Sequence, residues 1–205
     1  MRIGTRWVSI LALTAVVALG IGCSDANGPA PRSEDALRAL HLRPDAPPLE
    51  ETSASFYAKK GEAREVALYF TDGVGGRGPL YFHLSVGANS LGTLPDGTPI
   101  AQGDSVLITV QVVHPDTVLF DLQPSGLRFN AADPAELSIY YGEVDHDFDG
   151  DGDQDLNDQT IELRLAIWRQ ETLGGLFEHL TSVVTAPLDR VTASLSGFTR
   201  YAVSY

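Results

Sequence analysis

The chain has 205 residues, of which 43% are hydrophobic, and a formal net charge of −13 at pH 7. This apolar content is sufficient for the core of one globular domain, whereas the acidic excess argues against a nucleic acid partner, whose phosphates attract basic surfaces. A single cysteine excludes an intramolecular disulfide.

The first 22 residues have the pattern of a signal peptide. Arg2 and Arg6 precede an uncharged apolar run that ends at Gly22. This run of about 14 residues is shorter than the roughly 20 that a membrane-spanning helix needs. We therefore predict that residues 1–22 direct export and are removed, and loss of the two arginines would change the net charge to −15.

Cys23 follows the apolar run directly, in the stretch LGIGCS. This stretch resembles a bacterial lipobox, although Gly20 stands where the motif favours leucine. The resemblance implies that Cys23 is diacylated and becomes the mature N-terminus, while plain secretory cleavage nearby is the alternative. Ser24 permits sorting to the outer membrane, by resemblance to lipoproteins of diderm bacteria. We therefore expect an exported protein, lipid-anchored to the cell envelope.

Residues 23–51 are predicted to be a flexible tether. The segment combines small and charged residues with five prolines, Pro29, Pro31, Pro44, Pro47 and Pro48. Such a composition is typical of a linker that buries no core. Residues 34–42 are compatible with about two helical turns, which are marginal in isolation.

From residue 52 onward, apolar and polar residues alternate with a period of two, which is typical of β-strands. In SVLITVQVV the apolar positions are Val106, Ile108, Val110 and Val112. Five other segments alternate similarly: REVALYF, PLYFHLSV, TVLFDL, ELSIYYG and TIELRLAIW. Turns rich in glycine and proline, such as LPDGTPIAQGD, separate them. Residues 52–205 are therefore predicted to form one all-β domain, an antiparallel β-sandwich.

The order of these segments resembles a ZU5-type β-sandwich module over residues 66–205. The PSGLRF corner at 124–129 and the terminal GFTRYAV at 197–203 carry the resemblance. It implies an interaction, assembly or spacer domain. Some ZU5 relatives cleave their own backbone at a His-Phe-Ser tripeptide, whose positions here hold Gly197, Phe198 and Thr199. Because Gly197 offers Thr199 no base, we predict no self-cleavage and expect Phe198 to pack in the closing strand.

Residues 145–158, DHDFDGDGDQDLND, form an acidic stretch. Counted from Asp147, its aspartates fall on the ligand positions of a twelve-residue calcium loop, and Gly152 falls on the position of the sharp turn. The predicted ligands are Asp147, Asp149, Asp151, Asp153, Asp155 and Asp158, with Asp153 contributing its main-chain carbonyl. The stretch resembles EF-hand and dockerin-like loops. It departs from EF-hands at Gln154, where they favour an aliphatic residue, and at Asp158, where they favour glutamate; dockerin-like loops also close on aspartate.

A calcium site and a solvated acidic turn without metal are the two alternatives for this stretch. Residues 143–158 contain eight carboxylates and no Lys or Arg, and the repulsion among them favours a bound cation. Oxygen ligands favour Ca²⁺ over Zn²⁺, and Mg²⁺ retains its waters. The alternation after Asp158 predicts a strand at 160–169, so the loop is expected to join this strand to another at 138–144. Because these ligands would fill the coordination sphere of the ion and leave no position for a substrate, the ion would be structural and not catalytic.

These features predict a calcium-stabilised, lipid-anchored module that acts in protein interaction or envelope scaffolding and is not an enzyme. The alternative is a secreted carbohydrate-binding or hydrolytic domain. Trp168 is the only tryptophan beyond the predicted signal peptide, so the sequence contains no aromatic platform for sugars. The histidines are scattered, and the sequence has none of the familiar catalytic motifs.

Overall fold

The computed structural model describes residues 28–205. The predicted signal peptide and Cys23 lie outside these residues. The strands are β1 (Ser53–Lys59), β2 (Arg64–Thr71), β3 (Arg77–Val86), β4 (Leu91–Thr93), β5 (Ser105–His114), β6 (Thr117–Gln123), β7 (Arg128–Phe129), β8 (Ala135–Tyr140), β9 (Ala166–Gln170), β10 (Phe177–His179), β11 (Ser182–Thr185), β12 (Arg190–Leu195) and β13 (Arg200–Ser204). One helix, α1 (Leu156–Glu162), and two 3₁₀ turns, Glu34–Ala36 and Ala186–Leu188, complete the described elements.

The strands form two main antiparallel sheets that pack face to face. The larger sheet has the order β1-β5-β6-β13-β9-β10, and the smaller has the order β11-β12-β8-β3-β2. A short third sheet pairs β4 with β7. The predicted all-β class, an antiparallel β-sandwich, is thereby confirmed.

The core lies between the two main sheets, on the faces that the alternating pattern indicates. In β5, Val106, Ile108, Val110 and Val112 are all buried. Phe120 of the larger sheet packs against Phe82 of the smaller, with ring centroids 4.8 Å apart. Burial of one such aromatic side chain stabilises a fold by about 1.5–3 kcal/mol, so these inward-facing rows hold the sheets together.

Residues 28–51 pack against the sandwich and do not form the predicted flexible tether. Leu37 and Leu40 are buried. The N–H of Leu40 donates to the carbonyl of Val203 at 3.0 Å, and the carbonyl of Leu40 accepts from Val118 at 2.9 Å. Isolated bridges follow the segment at Arg32–Phe177, Ala39–Ser204, His41–Thr117, Leu42–Val144 and Leu49–Phe70. The leucines enter the core through contacts with strands that are distant in sequence. Such contacts cannot be predicted from the composition of the segment itself.

Phe198 is buried as expected, but it lies just before the closing strand β13 and not in it. Its ring meets Phe129 edge to face at 4.9 Å. Thr199 is buried, and its hydroxyl donates to the main-chain carbonyl of Gln170. The hydroxyl of Tyr201 donates to the carbonyl of Gly197. The Thr199 hydroxyl therefore donates to a carbonyl oxygen, and a carbonyl oxygen is too weak a base to activate it as a nucleophile.

The segment after the acidic stretch begins as a helix, so the prediction of a strand from residue 160 is wrong. Asp155 caps α1, its side chain accepting from the N–H of Asn157, and Asp158 completes a capping box. Such caps satisfy main-chain donors that a helix start leaves free. Leu163, assigned to the predicted strand, is 69% exposed. Strand β9 begins only at residue 166, and β8 ends at residue 140 instead of 144.

Candidate metal site

The acidic loop connects the two main sheets, because β8 belongs to the smaller sheet and β9 to the larger. Two apolar side chains fix it to the core: Val144 is 2% exposed and Phe148 is 7% exposed. The carbonyl of Phe148 also accepts a hydrogen bond from the hydroxyl of Tyr205 at 2.6 Å. The aspartates thus project from a loop whose base is held by packing.

Asp147 organises the first half of the loop. Its carboxylate accepts hydrogen bonds from the N–H groups of Gly150, Asp151 and Gly152, at 2.7, 3.1 and 2.9 Å. The backbone winds around this side chain because Gly150 and Gly152 adopt φ values of +80° and +99°, which residues with a Cβ adopt only under strain. Gly152, which the calcium-loop pattern places at the sharp turn, therefore has a conformational reason to be glycine.

Asp158 joins the two ends of the loop. Although it is an aspartate, it is only 4% exposed, and its carboxylate accepts from the N–H groups of Phe148, Asp149 and Asp155, at 2.7, 3.2 and 2.9 Å. The N–H of Asp155, followed by those of Asp149 and Phe148, lowers the pKa of Asp158 below its usual value. This carboxylate is therefore held in its ionised form.

The six predicted ligands fall into two groups of three. Carboxylate oxygens of Asp147, Asp149 and Asp151 lie within 4.8 Å of one another, and so do those of Asp153, Asp155 and Asp158. Each group can hold a metal ion. Asp158 links the groups, because its carboxylate accepts the N–H of Asp149.

Like charges are concentrated in the loop. Partial desolvation, followed by repulsion from the carboxylates of Asp151, Asp158 and Asp147, raises the pKa of Asp149, although the N–H of Asp151 acts in the opposite direction. Repulsion from Asp151, followed by burial, raises the pKa of Asp153. A cation between these groups would relieve the repulsion.

Glu143 does not belong to this cluster. Its Oε2 lies 2.5 Å from Nη2 of Arg43, which the packed N-terminal segment contributes. His146 also lies outside both groups of ligands, and its ring stacks on Phe148 at 5.5 Å. The clustered donors are therefore carboxylate oxygens alone, a set suited to a hard divalent cation.

Two features of the site were not anticipated from the sequence. Asp155 serves as the cap of α1, and Phe148 anchors the loop to the core. The capping role of Asp155 could have been predicted from the sequence, because an acidic residue followed three positions later by another, here Asp158, resembles a capping box. For Phe148, the sequence offers no indication beyond its apolar side chain in a polar stretch.

No family model matches the chain, and neither the curated proteins nor the solved structures yield a match. Within residues 28–205, no helix combines the length and the apolar character that a bilayer crossing requires. The fold and the loop together define an all-β sandwich protein with an acidic site able to hold a metal ion.

Proposed function

We propose that this protein is an extracytoplasmic β-sandwich module whose acidic loop binds Ca²⁺. The ion would be structural, and the module, lipid-anchored at Cys23, would act in protein interaction or scaffolding in the cell envelope. The two aspartate groups on one core-anchored loop are the single observation that carries the calcium proposal.

Calcium is favoured over other cations by the donor set. Ca²⁺ takes six to eight oxygen ligands at about 2.3–2.6 Å in flexible geometry, and the loop supplies carboxylates without nitrogen or sulfur. The site also joins the two sheets. Neutralising its charge would therefore stabilise the connection between β8 and α1, and this supports a structural role.

The export and anchor proposals rest on the sequence of residues 1–24, and the interaction role rests on the ZU5-like resemblance. The alternative of a carbohydrate-binding domain lacks comparable support. Trp168 is fully buried, and its indole N–H donates to the carbonyl of Ser204 at 3.3 Å. A tryptophan in this position offers no ring face for stacking on a sugar.

The calcium proposal is tested by thermal unfolding of the purified protein in excess Ca²⁺, in excess Mg²⁺ and after chelation. A ligand at a hundredfold excess over its Kd stabilises the folded state by about 2.7 kcal/mol. For a chain of this size, that corresponds to a rise in Tm of roughly 5–10 °C. We expect this rise with Ca²⁺ and little change with Mg²⁺.

Two double variants make the test specific. Asp147→Ala/Asp151→Ala removes two loop carboxylates, and we expect it to abolish the rise in Tm. Asp35→Ala/Glu51→Ala removes the same charge from exposed positions outside the loop, and we expect the rise to persist. An equal rise in both variants, or none in the unaltered protein, would show that the loop is not a calcium site.

The anchor is tested separately by metabolic labelling with a radioactive fatty acid in a bacterial host. We expect label on the unaltered chain, recovered in the membrane fraction, and none on Cys23→Ser. Label retained by Cys23→Ser, or absent from both chains, would refute lipidation at Cys23. This result is independent of calcium binding.

A further inference from the structure

A second polar site adjoins the acidic loop but uses none of its aspartates. A cavity of about 410 Å³ opens where the N-terminal segment crosses the β9–β10 edge of the larger sheet. We call it the basic pocket, and its polar and aromatic lining consists of Arg32, Arg38, Arg164, Trp168, His179 and Tyr205. Three arginines in one cavity are unexpected in a chain whose net charge is −13.

Within residues 28–205, the arginines of the basic pocket form no ion pair with an Asp or Glu side chain. In the part of the chain that the structure describes, the ion pairs of lysine and arginine use Arg43, Lys59, Arg64, Arg77, Arg128, Arg169 and Arg200. Five other lysines and arginines of residues 28–205 form no ion pair, and three of those five line this cavity. Arg38 also lines a neighbouring cavity with Asp145, Asp147 and Asp149, so the acidic loop offsets part of its charge. Three guanidiniums around one cavity still repel one another, and an anion bound among them would relieve that repulsion.

Arg32 is held in place. Its Nη1 donates to the main-chain oxygen of Tyr205 at 2.6 Å, and its guanidinium lies over the Trp168 ring, 4.7 Å from the centroid. Main-chain hydrogen bonds of 2.9 and 2.7 Å join Arg32 to Phe177 of β10. A guanidinium fixed by packing loses less freedom when it binds a ligand.

The other two arginines reach the cavity from different elements. Arg38 belongs to the packed N-terminal segment, and its guanidinium lies 5.9 Å from the centroid of the Tyr205 ring. Arg164 lies two residues after the end of α1. Both side chains are exposed at the cavity mouth. The folding of residues 28–51 onto the sandwich therefore creates this cluster.

His179 completes the lining without adding charge near neutrality. Its ring meets Trp168 edge to face at 5.4 Å. Burial, followed by the neighbouring Arg32, lowers the pKa of His179 below its usual 6.5. A neutral imidazole still offers one N–H to an anion.

The number of guanidiniums indicates the class of ligand. A carboxylate carries one charge and two oxygens, which satisfy one guanidinium fork. A phosphate group carries about −1.5 to −2 charges near pH 7 and presents three acceptor oxygens, which several arginines can contact together. We propose that the basic pocket binds the phosphate group of a ligand. This site uses residues outside the acidic loop, and the inference does not depend on calcium binding.

The test uses the full chain with Trp7→Phe, so that Trp168 is its only indole, and with Cys23→Ser, so that no acyl anchor contributes. Glycerol phosphate is titrated at constant ionic strength in excess calcium, and binding is followed by calorimetry and by Trp168 fluorescence, since Arg32 lies on that ring. Sulfate and acetate are titrated in parallel. We expect saturable binding of glycerol phosphate and weaker binding of the other two anions.

The decisive variant is Arg38→Gln/Arg164→Gln, whose side chains are exposed and form no ion pair in residues 28–205, so the fold should persist. Unchanged thermal unfolding checks this. We expect its affinity for glycerol phosphate to fall by about tenfold or more, because it lacks two charge-assisted hydrogen-bonding groups. The control Arg64→Gln/Arg77→Gln removes the same charge from β2 and β3 and should bind as the parent does.

Vesicles of phosphatidylglycerol and of phosphatidylcholine distinguish a lipid headgroup from a free phosphate ester. Binding to phosphatidylglycerol vesicles that requires Arg38 and Arg164, without binding of glycerol phosphate, would support the proposal with a lipid as the source. The proposal is overturned if neither probe binds, if acetate or sulfate binds as tightly, or if both double variants lose affinity equally.

Discussion

The carboxylate of Asp158 accepts a hydrogen bond of 2.7 Å from the N–H of Phe148, ten residues earlier in the chain. The same side chain accepts from Asp149 and Asp155. One buried carboxylate therefore ties the entrance of the acidic loop to the start of α1. These bonds exist independently of any ion, so Asp158 should affect stability without metal as well as with it.

Removal of this carboxylate should destabilise the metal-free protein. Asp158→Ala leaves three main-chain donors without their acceptor, and an unsatisfied buried donor costs about 1–3 kcal/mol. We expect the free energy of unfolding, measured with urea after chelation, to decrease by an amount within or somewhat above that range. Asp153→Ala is the control, because Asp153 is exposed. Equal losses in both variants would contradict a closing role for Asp158.

The raised pKa values of Asp149 and Asp153 predict an unusual dependence of stability on pH. Burial is the first cause for Asp149, and repulsion from Asp151 is the first for Asp153. A carboxyl whose pKa is raised in the folded state binds its proton more tightly there than in the unfolded state. Its protonation therefore stabilises the fold, and this stabilisation is lost as pH rises through the raised pKa.

It follows that Asp149→Asn/Asp153→Asn should raise the Tm of the metal-free protein near pH 7. The advantage should shrink as pH falls towards the usual aspartate pKa of about 4, where the parent becomes protonated. In excess calcium the sign should reverse, because the variant replaces the Asp149 carboxylate ligand by a neutral amide and removes a second negative charge from the loop. Melting curves across pH, with chelator and with calcium, check both parts. A variant less stable than the parent at neutral pH without metal would refute this account.

The contribution of Asp158 to stability depends on pH in the opposite direction. Its pKa is lowered in the folded state, first by the N–H of Asp155. It therefore stabilises the fold above the unfolded pKa, and this contribution disappears as pH falls through the lower folded value. The stability difference between the parent and Asp158→Ala should accordingly be largest near neutrality and diminish in acid, as measured by urea unfolding at each pH.

The packing of the N-terminal segment makes residues 28–51 necessary for stability. Leu40 is 4% exposed and exchanges main-chain hydrogen bonds with two strands of the larger sheet. Leu40→Ala should lower the free energy of unfolding by about 2–4 kcal/mol. Leu188→Ala, at a position 56% exposed, should change it by less than about 0.5 kcal/mol. A loss of similar size in both variants, or in neither, would argue that the segment is only loosely attached.

The strands could be predicted because each carries its own pattern. Buried apolar residues occupy every second position of β5, from Val106 to Val112, and of β6, at Val118, Phe120 and Leu122. The face that points into the core can therefore be predicted from each strand alone. The clustering of the loop aspartates could also be predicted, since their alternate spacing around two glycines brings their carboxylates together. Local information was sufficient in both cases.

The remaining features depend on distant partners or on a competing local rule. Leu37 and Leu40 lie among prolines and charges, and only their contacts with remote strands make them core residues. The Arg32, Arg38 and Arg164 cluster exists for the same reason. In 156–162, the capping box at Asp155 prevailed over the alternation that predicts a strand, because the cap satisfies main-chain donors where the helix begins.

Gly152 allows the shape of the loop to be tested without removing a ligand. Its φ of +99° is strained for any residue with a Cβ, yet an added Cβ would meet no atom within 4 Å. Gly152→Ala should therefore act through backbone strain alone, lowering metal-free stability by about 1 kcal/mol and weakening the calcium-induced rise in Tm. Gly28→Ala, which also meets no atom and has no positive φ, should alter neither quantity. If Gly152→Ala preserves the full calcium response, the ion does not require the winding of the backbone around Asp147.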